Sequence, residues 1–252
     1  MSDLPDPVPA ATLILMRARE SGAPEMLFME RAATMAFAAG ALVFPGGRVE
    51  EDDHLLAARH GEDADFAAAR IAALRETLEE TGIAAGLDPL PDPEQAAALR
   101  AALDQGRSLS TALERFALRL DLDALTPFAR WCPNFRETRR FDTLFFVAEA
   151  PADAAFASAD RNEAVHTFWA TAAHVLGEAD AGRAHIIFPT RRNLERLARF
   201  GSIEEARADA LRHAVQKVTP WIEEREGRSF LCIPEGIGYP VTAEPLETAR
   251  RG

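Results

Sequence analysis

Three glutamates stand together near the end of a helix-forming segment. In "RETLEETG", residues 75–82, Glu76, Glu79 and Glu80 occupy positions i, i+3 and i+4, so we expect their side chains to converge on one helix face. Like charges at this spacing repel each other, and acidic residues in a last helical turn face the negative end of the helix dipole. Arg75 lies about 100° around the helix from Glu76, so we expect it to offset only part of this cost.

A bound divalent cation would reverse that balance. Mg²⁺ and similar hard ions take oxygen ligands, typically one or two carboxylates together with water and phosphate oxygens. The alternative is a solvated acidic helix end, which is common in a chain this acidic. The preceding segment favours the metal site, because "FPGGRVEEDD", 44–53, places Gly46 and Gly47 after a strand, where the backbone can approach a ligand closely.

The elements that must position these residues alternate between strands and helices without a strict βαβ rhythm. Apolar or alternating runs predict strands at 11–17, 26–31, 41–44, 141–148, 163–170 and 229–234, and "PGGRVEEDD" predicts a turn at 45–53. Helix formers predict helices at about 63–81, 93–105, 108–119, 171–179, 190–200 and 203–216. Asp63 or Asp65 would cap the first helix, and Gly82 would end it. The pattern predicts an α/β fold with helices covering a mixed sheet, plus an inserted or lid-like helical pair at 93–119.

Composition limits the classes of partner. The chain has 252 residues, 48% hydrophobic content and a formal net charge of -12, which predicts a sizeable core and disfavours binding to nucleic acid or to an anionic membrane. Cys132 and Cys232 belong to no C-x-x-C pair, and the histidines show no zinc-site spacing. The acidic, proline-rich start lacks the features of a signal peptide, so we expect a cytoplasmic protein that binds a small molecule.

The turn and the helix together resemble the Nudix box, G-x5-E-x7-R-E-U-x-E-E-x-G-U, where U is an aliphatic residue. The chain matches this pattern at Gly47 and again across "RETLEETGI", 75–83. Asp53 stands where the pattern has Glu, and residues 54–74 separate it from Arg75 where the pattern has only seven residues. Thr77 replaces an aliphatic residue. The box would therefore span 46–83, with an internal insertion at about 54–67.

A wider resemblance covers most of residues 11–217. The insertion, "RRFDTLFFVAEAP" at 139–151 and "FPTRRNLERLA" at 188–198 are similar to the Nudix branch that contains the acyl-CoA diphosphatase of mammalian peroxisomes and its bacterial relatives. This resemblance implies a single Nudix hydrolase domain over 1–252, an α/β/α sandwich with C-terminal helices at about 189–217. It also implies cleavage of CoA or an acyl-CoA to 3',5'-ADP and (acyl-)4'-phosphopantetheine, with Mg²⁺ or Mn²⁺ as cofactor.

Other interpretations of the same resemblance stay open. The substrate could be ADP-ribose, NADH or another nucleotide, or the domain could bind a nucleotide as a sensor without cleaving it. Sensor domains typically lose box glutamates, whereas all three are present here, and no helix-turn-helix appendage is evident. Isomerisation of a prenyl diphosphate is a further alternative. The oligomeric state is left open, with a homodimer as one option.

The resemblance assigns roles to the box residues. Glu79 and Glu80 would be the first metal ligands, together with the carbonyl oxygen of Gly46. Glu76 would be a further ligand or the group that orients or deprotonates the attacking water, so that it and Glu79 are candidate catalytic residues. Arg75 would support catalysis by holding the turn and a glutamate in place through charged hydrogen bonds.

Residues outside the box helix are candidates for contacts with the substrate. Arg48, Arg139 and Arg140 would bind the phosphates, although solvated arginines at a strand entry explain the last two equally well. Glu163 would supply an extra metal ligand or a base, or be an ordinary strand residue.

A second group of candidates lies further from the box. Arg191 and Arg192 at a helix start would form another phosphate site, or a charged surface turn. Trp131 or Phe135 would stack on an adenine ring, or pack in the core.

Overall fold

The computed structural model describes residues 6–31, 40–60, 63–134, 140–152, 154 and 164–249. The strands are β1 (Val8–Arg17), β2 (Glu25–Arg31), β3 (Leu42–Val43), β4 (Gly46–Arg48), β5 (Leu87–Asp88), β6 (Arg119–Leu120), β7 (Thr126–Trp131), β8 (Phe141–Glu149), β9 (Ala164–Thr171), β10 (Lys217–Val218), β11 (Trp221–Arg225), β12 (Arg228–Cys232) and β13 (Ala243–Pro245). The helices are α1 (Glu51–Ala57), α2 (Ala64–Thr81), α3 (Pro93–Asp104), α4 (Leu109–Phe116), α5 (Ala172–Asp180), α6 (Phe188–Leu197), α7 (Ile203–Arg212) and α8 (Leu246–Ala249).

One large sheet carries the fold. Its strands follow the order β10-β7-β8-β1-β2-β3, while β4 pairs with β1 and β9 pairs with β2. β1 is parallel to β8 and β10 is parallel to β7, whereas the other pairs in this sheet are antiparallel. The mixed sheet expected from the sequence is confirmed.

Helices cover both faces of this sheet. Along β1, Leu13 and Leu15 are buried in the core that α2 covers, together with Phe146 of β8. Ile14 and Met16 are buried in the opposite core, which α6 and α7 cover. Because successive strand residues face opposite sides, a strand buried on both faces reads as one continuous apolar run. The arrangement confirms the expected α/β/α sandwich.

Helix α2, which carries the three glutamates, has the ends that the sequence predicts. The side chain of Asp63 accepts a hydrogen bond from the Asp65 N–H at 3.2 Å, which satisfies a free donor of the first turn. Gly82 adopts a left-handed conformation with φ of 77°, and its N–H donates to the carbonyl oxygen of Leu78 at 2.8 Å. Both ends of the helix are therefore fixed by local chemistry.

The turn predicted at 45–53 is wrong, because this segment forms strand β4 and the start of helix α1. Gly46 and Gly47 pair with Thr12 and Ala11 of β1. A Cβ atom on Gly46 would lie 2.3 Å from the carbonyl oxygen of Ala11, so only glycine allows this close strand pairing. Two adjacent glycines are unfavourable in strands, which is why the segment reads as a turn.

Strand β7 was not predicted either, because it contains Pro127. The register between β7 and β8 shifts between Pro127 and Ala129, and such a bulge is a position where a strand tolerates proline. The single late strand predicted at 229–234 is β12, which lies between β11 and β13 in a second, three-stranded sheet. The other predicted strands and helices are present, with ends shifted by a few residues.

None of the helices in the described part of the chain is long and apolar enough to cross a bilayer.

Candidate active site

Arg75 is the centre of the site, because its guanidinium group binds both halves of the box. Nε and Nη2 donate to the two carboxylate oxygens of Asp53, at 3.2 Å and 3.1 Å, and Nη2 also donates to the carbonyl oxygen of Arg48 at 2.9 Å. The side chain of Asp53 is fully buried and that of Arg75 is 7% exposed. Asp53 also accepts a hydrogen bond from the N–H of Glu50 at 2.9 Å. The Asp53 carboxylate therefore links the start of α1 to the box helix α2.

The insertion in the box does not separate its two halves in space. After Asp53 the chain completes α1 at Ala57, and α2 begins at Ala64. Leu56 and Ala57 are buried in the same core as the residues of α2. The extra residues thus form helix on both sides of a short connection, and Asp53 meets Arg75 although the two are 22 positions apart.

Arg75 also binds two of the three glutamates. Its Nη1 atom lies 3.1 Å from Glu76 Oε1 and 3.0 Å from Glu79 Oε2. We expected Arg75 to offset part of the repulsion, but the direction of its side chain at the helix surface did not indicate that it reaches both Glu76 and Glu79. The long arginine side chain reaches along the helix to the i+4 position and shares one nitrogen between two carboxylates.

Burial and charge act in opposite directions on these groups. Burial alone would lower the pKa of Arg75, but the hydrogen bond to Asp53 and the charges of Glu76, Asp53 and Glu79 raise that pKa above its ordinary value. Burial raises the pKa of the Glu79 carboxyl group, and the positive charge of Arg75 counters this effect only in part. Arg75 is therefore a fixed cation, and Glu79 is a carboxylate that binds a proton more readily than a solvated one.

The third glutamate is held by strand β4, through Gly46. Glu80 is 3% exposed, and its Oε2 accepts a hydrogen bond from the N–H of Gly46 at 2.8 Å. At the neighbouring position, a Cβ atom on Gly47 would lie 2.2 Å from the carboxylate of Glu76. The carboxylate occupies the space that any other side chain would need. The two glycines therefore let strand β4 approach helix α2 closely enough to touch two of its glutamates.

The three carboxylates share one end of the helix but not one common point. Glu76 and Glu79 contact Arg75, whereas Glu80 contacts Gly46. Across the described residues, no three histidine, cysteine, aspartate or glutamate side chains are grouped closely enough to hold a metal ion. The three glutamate side chains therefore lie near each other, as expected from their spacing, but each carboxylate is bound to a donor of the protein.

Sequence reasoning missed Arg100, a residue of α3 that contacts the box helix. Its Nε donates to the carbonyl oxygen of Glu79 at 2.9 Å, and its Nη2 lies 3.4 Å from the carbonyl oxygen of Glu80. The absence of a basic residue in the last turn of α2 was a usable signal, since a helix end with only acidic side chains favours a cation from elsewhere.

The candidate phosphate ligands are dispersed. Arg48, the last residue of β4, is exposed. Arg140 is half-buried, with one guanidinium nitrogen 3.7 Å from the sulfur of Cys132. Arg139 and Glu163 lie outside the described residues.

The second phosphate-site candidate is contradicted. Arg192 is 2% exposed and bonds to Glu195 and Glu244, both at 2.8 Å, while Arg191 bonds to Asp180 at 2.8 Å. Arg192 forms ion pairs inside the fold, so the phosphate-site and surface-turn interpretations both fail for it, whereas Arg191 pairs with Asp180, whose side chain is 64% exposed.

Trp131 is a core residue and not a platform for adenine. It is 1% exposed, and its indole N–H donates to the hydroxyl oxygen of Tyr239 at 2.9 Å. Phe135, the other stacking candidate, lies outside the described residues.

Comparison with solved structures shows which known proteins share this fold. The Nudix hydrolase from Alicyclobacillus acidocaldarius superposes with a TM-score of 0.70 and 28% sequence identity, over 81% of this chain and 96% of that protein. The chain therefore has the fold of Nudix hydrolases. Two weaker matches are the MutT protein from Methanosarcina mazei Go1 (TM-score 0.44, 17% identity, 78% of this chain and 97% of that one) and the Nudix domain of NrtR from Shewanella oneidensis, solved with ADP-ribose (0.42, 15%, 78% and 88%). At such TM-scores neither match carries an argument about substrate. No protein-family model matches the chain.

Proposed function

We propose that this Nudix hydrolase cleaves the diphosphate bond of a nucleoside diphosphate linked to a second group, in a reaction that depends on Mg²⁺ or Mn²⁺. The observation that carries the proposal is the Arg75 network. One buried guanidinium group binds Asp53, the carbonyl oxygen of Arg48 and two box glutamates. This network joins strand β4 and the start of α1 to the acidic end of α2.

The types of donor atom present suit a hard divalent cation. The donor set consists of oxygen atoms alone, from Glu76, Glu79, Glu80 and the carbonyl of Gly46, and it contains no sulfur or imidazole ligand. Gly46 and Gly47 contact the Glu80 and Glu76 carboxylates, so these two side chains lie at the same end of α2. When bound there, the cation would neutralise the diphosphate and stabilise negative charge on the leaving oxygen.

Side chains of the protein would orient the metal ligands, the attacking water and the substrate phosphates. Arg75 keeps Glu76 and Glu79 oriented, and its buried pair with Asp53 prevents the guanidinium from moving. Glu76 or Glu79 would accept a proton from the attacking water. Arg48, an exposed residue of β4, would pair with a phosphate oxygen.

We propose CoA or an acyl-CoA as the substrate, with 3',5'-ADP and (acyl-)4'-phosphopantetheine as products. The support for this choice is the resemblance in the insertion, in 139–151 and in 188–198. The test is a panel of CoA, acyl-CoA esters, ADP-ribose, NADH and dinucleoside polyphosphates with Mg²⁺ or Mn²⁺, read by product mass. Turnover of ADP-ribose alone would refute CoA as the substrate and would leave the proposed cleavage of a diphosphate bond unchanged. Tight nucleotide binding without any turnover would favour a sensor.

The residue assignment is tested separately. Glu80→Gln should lower turnover by at least about 100-fold, because losing a metal-bound charge removes several kcal/mol of transition-state stabilisation. Circular dichroism should show an unchanged fold. The matched control is Glu114→Gln, which changes a 73% exposed glutamate on α4 and should leave turnover unchanged. Retained activity in Glu80→Gln would remove this residue from the metal site.

A further inference from the structure

The inserted helices α3 and α4 contact both halves of the Nudix box through charged hydrogen bonds. From α3, the guanidinium group of Arg100 binds the backbone carbonyl oxygens of Glu79 and Glu80. From α4, the N–H and the hydroxyl group of Ser110 donate to the two carboxylate oxygens of Asp52, at 3.0 Å and 2.6 Å. One contact lies at the end of the box helix, and the other lies on α1, next to Asp53.

The contact at α2 satisfies a specific need of that helix. The last four carbonyl groups of a helix lack internal partners and carry the negative end of its dipole. Gly82 binds the carbonyl oxygen of Leu78, and Arg100 binds those of the next two residues. No basic residue lies in the last turn of α2 itself. Arg100 therefore supplies the cation that this acidic helix end lacks.

In the contact at α1, the insert supplies the positive end of a helix dipole and the box segment supplies the carboxylate. Ser110 lies in the first turn of α4, where free N–H groups and the positive end of the dipole favour a carboxylate. Asp52 supplies that carboxylate, and its neighbour Asp53 is the buried partner of Arg75. The insert thus fixes α1 beside the residue that holds Arg75.

We propose that the insert positions the box carboxylates, with Arg100 as the positioning residue for Glu79 and Glu80. Arg75 orients the side chains of Glu76 and Glu79, whereas Arg100 fixes the backbone from which Glu79 and Glu80 project. In this proposal the helices expected at 93–119 support the box instead of forming a lid over it. This inference rests on the proposed function, since it assumes that these carboxylates bind the metal.

The test compares Arg100→Ala with Arg107→Ala, which removes an exposed arginine from the turn between α3 and α4. Mn²⁺ binding is measured without nucleotide, from the free-ion signal in electron paramagnetic resonance. Loss of a group that orients metal ligands typically costs about 10- to 100-fold in affinity or activity. We expect Arg100→Ala to weaken Mn²⁺ binding at least about 10-fold, to lower kcat, and to leave the KM of the nucleotide substrate unchanged. Arg100→Lys, which keeps a charge and one donor group, should recover part of the affinity.

Hydrogen exchange separates positioning from general destabilisation. In Arg100→Ala the amides at the end of α2, around residues 79–83, should exchange faster, while those in its first half should not change. Unchanged Mn²⁺ affinity in Arg100→Ala, or an equal loss in Arg107→Ala, would overturn the inference while the wild-type activity stands. If the wild type binds Mn²⁺ but turns over no nucleotide, the proposed function fails and the inference is judged on Mn²⁺ affinity. A wild type that binds no Mn²⁺ overturns both.

Discussion

The buried pair between Asp53 and Arg75 offers the sharpest test of the site. Asp53→Asn keeps the size of the side chain and removes its charge, so that Arg75 remains buried beside a neutral group. Breaking a buried ion pair by removing one partner costs about 3–5 kcal/mol, because the remaining charge is left uncompensated. Asn retains one oxygen acceptor, and Arg75 retains its contacts with Glu76 and Glu79. We therefore expect the free energy of unfolding to fall by an amount at the low end of this range, about 3 kcal/mol. For a chain of this size that corresponds to a fall in Tm of about 6–12 °C.

The control is a pair with similar chemistry at the surface. Asp88 lies 2.6 Å from Arg119, with the two side chains 59% and 78% exposed. Exposed ion pairs contribute at most about 1 kcal/mol, so Asp88→Asn should shift Tm by a few degrees at most. Both variants are compared with the wild type by thermal and urea unfolding in the presence of a metal chelator. Equal small shifts for the two variants would refute the argument that burial makes the Asp53 charge essential.

Two further predictions follow from particular contacts. Gly47→Ala places a Cβ atom where the carboxylate of Glu76 lies, at 2.2 Å, so turnover should fall at least about 10-fold while the circular dichroism spectrum is retained; normal turnover would show that the glutamate can move freely. Burial would raise the pKa of Asp142, but hydrogen bonds from Arg130 and Lys217 hold it below the ordinary value of 3.8. A lowered carboxyl pKa stabilises the fold above that value, and this contribution disappears as the pH falls through the folded-state pKa. Urea unfolding should therefore show wild type and Asp142→Asn differing most near neutral pH and converging below about pH 3.8, and a difference that does not depend on pH would contradict the ion-pair explanation.

The sequence by itself determined the features that depend on local chemistry. The bounds of α2 follow from Asp63 and Gly82, whose preferences for helix ends act over one turn. The continuous apolar run of β1 indicated a strand buried on both faces, and the alternation of strands with helices indicated the mixed sheet. The spacing of the three box glutamates and the two glycines pointed to the same site that the fold assembles.

The tertiary structure alone decided which partners these residues have. Arg75 meets Asp53 across 22 positions, Glu80 meets Gly46 across 34, and Arg100 meets Glu79 across 21. A sequence lists charges without their distances, so the cluster of glutamates was expected to be only partly compensated. Packing brings one arginine from the same helix and another from the insert against it.

The same reason explains the errors elsewhere. Pro127 reads as a strand breaker until the bulge between β7 and β8 accommodates it. Arg192 reads as a phosphate ligand until Glu195 and Glu244 surround it. Local preferences act through backbone torsions and are carried by neighbouring residues, whereas ion pairs act through space and depend on how distant segments pack.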